Sequence, residues 1–168
     1  ELMNALKIVN GGHITINKMT GSWAGAMGQC QFMPSSFINY ATDWDKDGSK
    51  NIWTSKPDVF ASAANYLKRV GWSNRITWGR KVFIGNYNGK TDEKKYNLLS
   101  YWTSKGILKA NKDKLPNVNV KARLIIPDGY KNYGYLAYKN FDSLLNWNRS
   151  NYFAIAVGTL ADSIKENN

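Results

Sequence analysis

Residues 21–36 of the chain read Gly21-Ser-Trp-Ala-Gly-Ala-Met-Gly-Gln-Cys-Gln-Phe-Met-Pro-Ser-Ser36. Gly21, Gly25 and Gly28 allow the backbone to approach another surface closely. The run does not match a dinucleotide-binding loop, since no strand precedes it with the required spacing, and it does not match a Walker loop, since no Gly-Lys-Ser/Thr follows it. Taken alone, its glycines are explained equally by close packing within the protein and by ligand binding.

The segment that follows is rich in aspartate and predicts a cation-binding loop. Three aspartates alternate over residues 43–47, and Gly48 allows the sharp bend at the sixth position of an EF-hand-type loop. The twelfth position carries Thr54 instead of the bidentate Glu, and an aspartate four residues later is placed to supply that carboxylate. The alternative is a solvated acidic turn whose last aspartate only favours a helix N-terminus. The predicted calcium ligands in loop 43–58 are Asp43, Asp45, Asp47, the backbone carbonyl of Ser49, and Asp58.

Composition limits the partners and the chemistry. The 23 basic and 12 acidic residues give a net charge of +11, which favours anionic partners such as nucleic acid, anionic lipid or an acidic polymer. The lone Cys30 excludes an internal disulfide and a cysteine-cluster metal site. A nucleophilic pair of Cys30 with His13 lacks a third, orienting group and is disfavoured. No apolar run reaches the length needed to cross a membrane.

Outside the middle of the chain, four helices are predicted from apolar periodicity and capping residues. The first ends at Gly11-Gly12, the second begins at Pro34, the third runs over residues 57–70, and the last begins at Ser150 as its N-cap. The predicted buried stripes are Phe60, Ala63, Ala64 and Leu67 in the third helix, and Ala154, Val157, Leu160, Ala161 and Ile164 in the last.

The middle of the chain, residues 74–145, predicts a mixed, β-rich lobe. Short strands are expected at 81–84, 122–126 and 133–138, with a helix near 96–105 between them. The length of 168 residues predicts one domain, or one domain with a small lobe. The predicted fold class is therefore α+β, with residues 1–73 and 146–168 as a mainly helical core around the calcium loop and 74–145 as a small β-rich insertion.

The glycine-rich run resembles the signature of the lytic murein transglycosylase B family. The resemblance covers nearly the whole chain and continues through Asp43–Trp53, Ala64–Leu67 with Gly71-Trp72, Leu124–Gly129, Asn140-Phe141, Trp147–Ser150 and Ala154–Asp162. It implies a lysozyme-like domain that acts on peptidoglycan in the Gram-negative periplasm. The family cleaves the β-1,4 bond between N-acetylmuramic acid and N-acetylglucosamine without water, and the 6-hydroxyl of the muramic acid attacks to leave a 1,6-anhydro end. One Glu serves as acid and then as base.

The resemblance also implies which residues contact substrate. Two matched residues, Ser22 and Asn148, would hold the reacting muramic residue. The chain departs from the family at Phe153, where the family commonly has a Tyr. Tyr152 lies one residue earlier, and because one residue rotates a side chain by ~100° on a helix, Tyr152 does not simply replace the missing hydroxyl. The full set of implied substrate-binding residues is Ser22, Gln31, Phe32, Met33, Tyr66, Trp147 and Asn148. For Phe32 and Met33, a place in the core is the alternative.

The resemblance places the catalytic Glu on a helix upstream of Glu1. Glu1 corresponds to a later helix, while Glu93 and Glu166 fall in a Lys-rich loop and in the C-terminal tail. The chain is therefore expected to be N-terminally truncated, and to bind glycan without cleaving it.

The resulting hypothesis is a peptidoglycan lytic transglycosylase domain, and the alternative is a non-catalytic peptidoglycan-binding module. A basic nucleic-acid binder is disfavoured, since Lys and Arg are dispersed along the chain. The expected partners are peptidoglycan glycan strands and structural calcium, with no nucleic acid and no transmembrane segment. We expect a periplasmic monomer, with an outer-membrane anchor in the full-length parent as one option.

Overall fold

The computed structural model describes residues 1–89, 95–129 and 131–167. They form two compact units, Glu1–Val70 and Gly71–Asn168. The last predicted helix thus belongs to the same unit as the strands, which differs from the predicted division of the chain. Glu93, assigned above to a Lys-rich loop, lies outside the described residues.

The first unit is helical and confirms the first three predicted helices. Helix α1 spans Leu2–Asn10, a short 3-10 turn spans Ile16–Lys18, α2 spans Pro34–Tyr40 and α3 spans Lys56–Arg69. Proline in the first turn favours the start of both α2 and α3, because its fixed φ suits a helix and its missing N–H is not needed there. The Ser55 hydroxyl caps α3 by accepting a hydrogen bond from the Asp58 amide.

The buried face of α3 differs from the predicted stripe, which was wrong for two of its members. Phe60 is 71% exposed, and Ala64 is also exposed. The fully buried residues of α3 are polar, namely Asp58 and Ser62, one helical turn apart. The Ser62 hydroxyl accepts a hydrogen bond from the Thr42 amide at 2.9 Å. This side of α3 therefore packs against loop backbone, whose buried N–H groups require acceptors.

The second unit contains a five-stranded sheet in which every described strand pair is antiparallel. The strands are β1 (Gly79–Phe83), β2 (Asn97–Leu98), β3 (Leu108–Lys109), β4 (Lys121–Ile125) and β5 (Tyr133–Ala137), in the order β2-β4-β5-β1-β3. The helices are α4 (Leu99–Ser104), α5 (Lys139–Trp147) and α6 (Asn151–Glu166). One face of the sheet buries Val82, Leu124 and Leu136 completely. The three longer strands confirm the predicted strands to within two residues.

Helix α6 begins where predicted but buries a different face. Ser150 is its N-cap, and the hydroxyl accepts a hydrogen bond from the Phe153 amide. The buried residues of α6 are Ala154, Ile155 and Gly158. Gly158 packs so closely against Trp78 that the indole occupies the space that a Cβ at position 158 would need. The predicted stripe was wrong for Val157, Leu160, Ala161 and Ile164, all of which are exposed.

Helix α5 was not predicted at all. Its N-cap, Tyr138, makes no side-chain capping hydrogen bond, so the sequence carries no capping signal at that end. Among the described residues, no helix has both the length and the apolar character that crossing a membrane requires.

Candidate functional site

The glycine-rich loop of the first unit folds tightly on itself. Met27 pairs with both Gly21 and Phe32 in isolated antiparallel bridges. A Cβ at Gly28 would lie 2.6 Å from the carbonyl oxygen of Ile52, and the φ of Gly28 is +61°. Close packing therefore requires glycine at this position. A Cβ at Gly21 would likewise lie 2.9 Å from the Ala26 carbonyl oxygen, so packing within the loop also explains this glycine. Gly21 and Gly25 nevertheless lie on the surface of the loop.

That surface borders a cleft of about 290 Å³. The loop contributes Ser22, whose side chain is exposed and whose Oγ accepts a hydrogen bond from the Ala26 amide at 3.2 Å. The walls are mostly apolar, with few polar groups, as is usual for ligand clefts. The lining residues are Glu1, Leu2, Ala5, Met19, Gly21, Ser22, Gly25, Met27 and Pro34.

The other predicted contact residues of this unit differ in accessibility. Gln31 is exposed at φ +50°, and its side-chain amide donates to the Gly28 carbonyl at 2.9 Å. Phe32 is only 3% exposed and packs against Tyr66, with ring centroids 5.7 Å apart. Tyr66 and Met33 are half-buried. Phe32 thus lies in the core, whereas Gln31, Met33 and Tyr66 retain accessible surface.

The phenol of Tyr66 is held by a second ring. Tyr40 approaches it edge-on, with ring centroids 4.7 Å apart. Burial, followed by the influence of Tyr40, raises the pKa of Tyr66 above its ordinary value. The hydroxyl therefore stays protonated at neutral pH and is able to donate a hydrogen bond.

Two predicted contact residues belong to the second unit. Trp147 is the last residue of α5 and is half-buried. Asn148 follows as the C-cap, is exposed, and donates its backbone N–H to the Leu144 carbonyl at 3.1 Å. The side chain of Asn148 is accessible at the end of a helix whose position is fixed by buried Phe141 and Leu144.

Glu1 lines the cleft, but its carboxylate is already engaged. Its two oxygens accept hydrogen bonds from the backbone N–H of Ser35 at 2.8 Å and from the Ser35 hydroxyl at 2.7 Å. These hydrogen bonds, the hydroxyl first, lower the pKa of Glu1. A general acid must hold a proton near neutral pH, so this environment is the opposite of what that role requires.

The acidic loop gathers three carboxylates. Asp43, Asp45 and Asp47 each place an oxygen within 4.8 Å of the others. The Asp43 Oδ1 atom is buried and has no hydrogen-bond donor. An orphaned carboxylate oxygen in an all-oxygen cluster is what a hard cation such as Ca²⁺ would satisfy. The residues present therefore fit a calcium ion.

Asp58, the predicted fourth carboxylate, is not brought into this cluster. It is completely buried, and its two oxygens accept hydrogen bonds from the Trp44 amide at 2.7 Å and the Asn51 amide at 2.8 Å. It therefore ties together the two sides of the loop. Gly48 has a φ of +92°, which gives the bend expected at that position, and the next amide, that of Ser49, donates to Asp47 Oδ1 at 2.8 Å.

His13 also contacts the acidic loop, which the sequence analysis missed. Its Nδ1 accepts a hydrogen bond from the Lys50 amide at 3.2 Å, and its carbonyl accepts one from the Ser49 hydroxyl at 3.1 Å. No spacing pattern indicates a contact between residues so far apart in sequence. The Cys30 thiol, considered above with His13, is buried and lies 3.4 Å from the Val59 carbonyl, and burial raises its pKa to about 11, which is unsuited to a nucleophile.

Similar proteins are known. Membrane-bound lytic murein transglycosylase B of Escherichia coli (strain K12) is 35% identical over 156 residues, covering 87% of this chain and 40% of that protein. The structure of SltB3 from Pseudomonas aeruginosa with NAG-anhNAM-pentapeptide superposes with a TM-score of 0.90 at 40% identity, over 98% of this chain and 45% of SltB3. The Escherichia coli lytic transglycosylase Slt35 in complex with calcium gives a TM-score of 0.81 at 28% identity, over 99% of this chain and 52% of Slt35.

The chain thus spans about half the length of these relatives, or less. The superpositions confirm the predicted lysozyme-like α+β fold. The family model described as "Transglycosylase SLT domain" matches residues 1–162. The chain belongs to this family of lytic transglycosylases.

Proposed function

We propose that this chain supplies a glycan-binding part of a peptidoglycan lytic transglycosylase. The observation that carries the proposal is the cleft beside the glycine-rich loop, where the exposed Ser22 hydroxyl lies among apolar walls. The relative SltB3 was solved with NAG-NAM-pentapeptide and Slt35 with bulgecin A. The proposed substrate is accordingly a peptidoglycan glycan strand that carries its peptide stems.

The proposed sugar contacts are the predicted residues whose side chains keep accessible surface. Ser22 and Gln31 supply uncharged hydrogen-bonding groups for hydroxyls and amides of the sugar, and Tyr66 adds a protonated phenol. Met33 provides apolar surface, while Phe32 acts from the core by supporting the Tyr66 ring. From the second unit, Trp147 and Asn148 are proposed as further contacts on the strength of the family resemblance.

We further propose that a lytic transglycosylase containing this chain cleaves the MurNAc-β-1,4-GlcNAc bond with formation of a 1,6-anhydromuramic end, and that these 168 residues do not supply the acid. The Ser35 hydrogen bonds keep Glu1 ionised, and Glu166 is exposed in the last turn of α6. A non-catalytic peptidoglycan-binding module is the alternative that the same observation supports. The proposed location is the periplasm, where peptidoglycan lies, and the proposed state is a monomer.

Calcium is proposed as a structural cofactor of the acidic loop. Asp43, Asp45 and Asp47 would bind it through carboxylate oxygens, and Ser49 through its backbone carbonyl. When bound, the ion would neutralise the mutual repulsion of the three carboxylates. Asp58 is proposed to brace the loop, because its two oxygens already hold backbone amides.

Cosedimentation with purified peptidoglycan tests the proposed function. The chain should bind, and Ser22→Ala should weaken binding by about two- to tenfold, the effect of removing one hydrogen bond. Ser163→Ala, on the exposed part of α6, is the matched control and should bind like the original chain. Mass spectrometry of the supernatant should show no anhydromuropeptides. Their release would overturn the proposal that the chain lacks the acid, and failure to bind would overturn the proposed function.

A further inference from the structure

Two lysines and two aromatic rings form a continuous surface on the sheet of the second unit. Lys81 and Phe83 lie two residues apart on β1 and so share a face of the sheet. The strand register places Tyr133 of β5 directly opposite Phe83. The rings of Phe83 and Tyr133 meet edge-to-face, with centroids 5.6 Å apart and planes at 71°.

One lysine ammonium group lies over each of the two rings. The Lys81 Nζ atom lies 5.0 Å from the Tyr133 ring centroid, and the Lys112 Nζ atom lies 5.3 Å from that of Phe83. Both distances are within the range of a cation–π contact. Both lysines are exposed and both rings are half-buried. We name these four residues, Lys81, Phe83, Lys112 and Tyr133, the lysine–aromatic platform.

The backbone holds Lys112 in this position. Its φ is +69°, which is uncommon for a residue with a side chain. A tight turn imposes it, since the Lys112 amide donates to the Lys109 carbonyl and the Lys109 amide donates to the Asp113 carbonyl, both at 2.8 Å. Lys109 itself is part of β3, which pairs with β1 beside Phe83. The turn therefore fixes the backbone of the second lysine beside the sheet.

Among the described residues, no carboxylate pairs with the positive charge of the platform. Within residues 1–89, 95–129 and 131–167, neither Lys81 nor Lys112 forms an ion pair. Each ring occupies one side of an ammonium group that has three N–H donors, so the remaining donors are open to an anionic ligand. The half-buried rings beside them offer apolar area for the rest of that ligand.

We propose that the lysine–aromatic platform is an accessory site for the carboxylates of peptidoglycan stem peptides. The inference rests on the proposed function, which supplies a polymer whose glycan chain carries peptides with several carboxylates. Two ammonium groups beside an apolar patch fit such a peptide better than they fit the uncharged sugars. The platform thus adds affinity for strands that keep their stems, separately from the cleft at Ser22.

The test uses the whole chain and two forms of one purified glycan, with its stems and after an amidase has removed them. A Lys81→Gln/Lys112→Gln variant should bind the stem-bearing glycan about two- to tenfold more weakly at low salt, as expected for two exposed ion pairs. Its binding to the stem-free glycan should not change. Lys81→Arg/Lys112→Arg should retain binding, since the charge is kept. The matched control Lys7→Gln/Lys165→Gln removes the same charge from exposed helix positions and should have no stem-dependent effect.

The outcomes separate the two proposals. If the original chain binds stem-free glycan but the platform variant loses no affinity for stem-bearing glycan, the platform proposal is wrong and the proposed function stands. Equal losses for the platform variant and the control also overturn it. An equal loss of binding to a DNA duplex would show a general polyanion surface and would likewise overturn it. If the original chain binds neither glycan, both proposals fail.

Discussion

Replacing Asp58 by Asn tests whether this residue braces the acidic loop or binds metal. The carboxylate is completely buried and accepts hydrogen bonds from two backbone amides, those of Trp44 and Asn51. An Asn side chain keeps one acceptor oxygen and turns an N–H₂ group toward the other amide. The loss of one charge-assisted hydrogen bond and the stranding of a buried N–H together cost about 3 kcal/mol. For a chain of this size, that corresponds to a fall in melting temperature of about 6–12 °C.

The assay is thermal unfolding with EDTA and with excess calcium. As a brace, Asp58→Asn should show its full loss in EDTA, where no metal is present. The matched control is Asp45→Asn, whose carboxylate is exposed. It should cost little in EDTA and should reduce the stabilisation by calcium, which follows from binding to the folded state. If Asp58→Asn is neutral in EDTA and harmful only with calcium, Asp58 is a ligand and the bracing argument is refuted.

Three further predictions concern the first unit. Gly28→Ala should lower the free energy of unfolding by about 2–4 kcal/mol in urea denaturation, because the new Cβ combines a positive φ with a clash against the Ile52 carbonyl. Gly12→Ala is the control: its φ is +73° but the space around it is open, so it should cost only about 1–2 kcal/mol. Equal losses would contradict this. Burial raises the pKa of the Cys30 thiol to about 11, so a thiol reagent at pH 8 should label it only as fast as the chain unfolds, and rapid labelling of the native chain would contradict this. Burial lowers the pKa of His13 below its ordinary 6.5. The stability that its neutral form contributes should be complete above pH 6.5 and should be lost as pH falls through the lower folded value. In EDTA, His13→Gln should flatten the dependence of the free energy of unfolding on pH. An unchanged slope of that dependence in the variant would contradict the role given to His13.

The helices and strands could be predicted where local signals are strong. Ser150 indicates the start of α6 by its hydroxyl, and Pro34 indicates the start of α2. The buried faces could not be predicted, because they depend on residues far away in sequence. Gly158 is buried since the ring of Trp78 fills the space beside it, and the Trp78 indole N–H donates to Asp162 at 2.9 Å. A glycine and an aspartate carry no apolar signal, so hydrophobic periodicity selected a side of α6 that shares only Ala154 with the buried side.

The same dependence on residues far away in sequence explains why the aspartates of the candidate metal site could not be told apart from the sequence. Sequence spacing treats the four aspartates of the loop as equivalent carboxylates, but the structure divides them by what surrounds each one. Asp58 and Ser62 lie on the buried side of α3, against a loop whose amides at Thr42, Trp44 and Asn51 have no strand or helix to receive them. Buried amides require acceptors, and a helix offers them only through polar side chains on the facing side. Asp58 is therefore engaged by the backbone through both oxygens. Asp43 and Asp47 each accept one backbone amide, and Asp45 accepts the Ser55 hydroxyl, so each of these three uses one oxygen within the loop and keeps the other for a cation. Assigning a carboxylate to metal or to backbone thus depends on counting the unpaired amides near it, which requires the three-dimensional path of the loop.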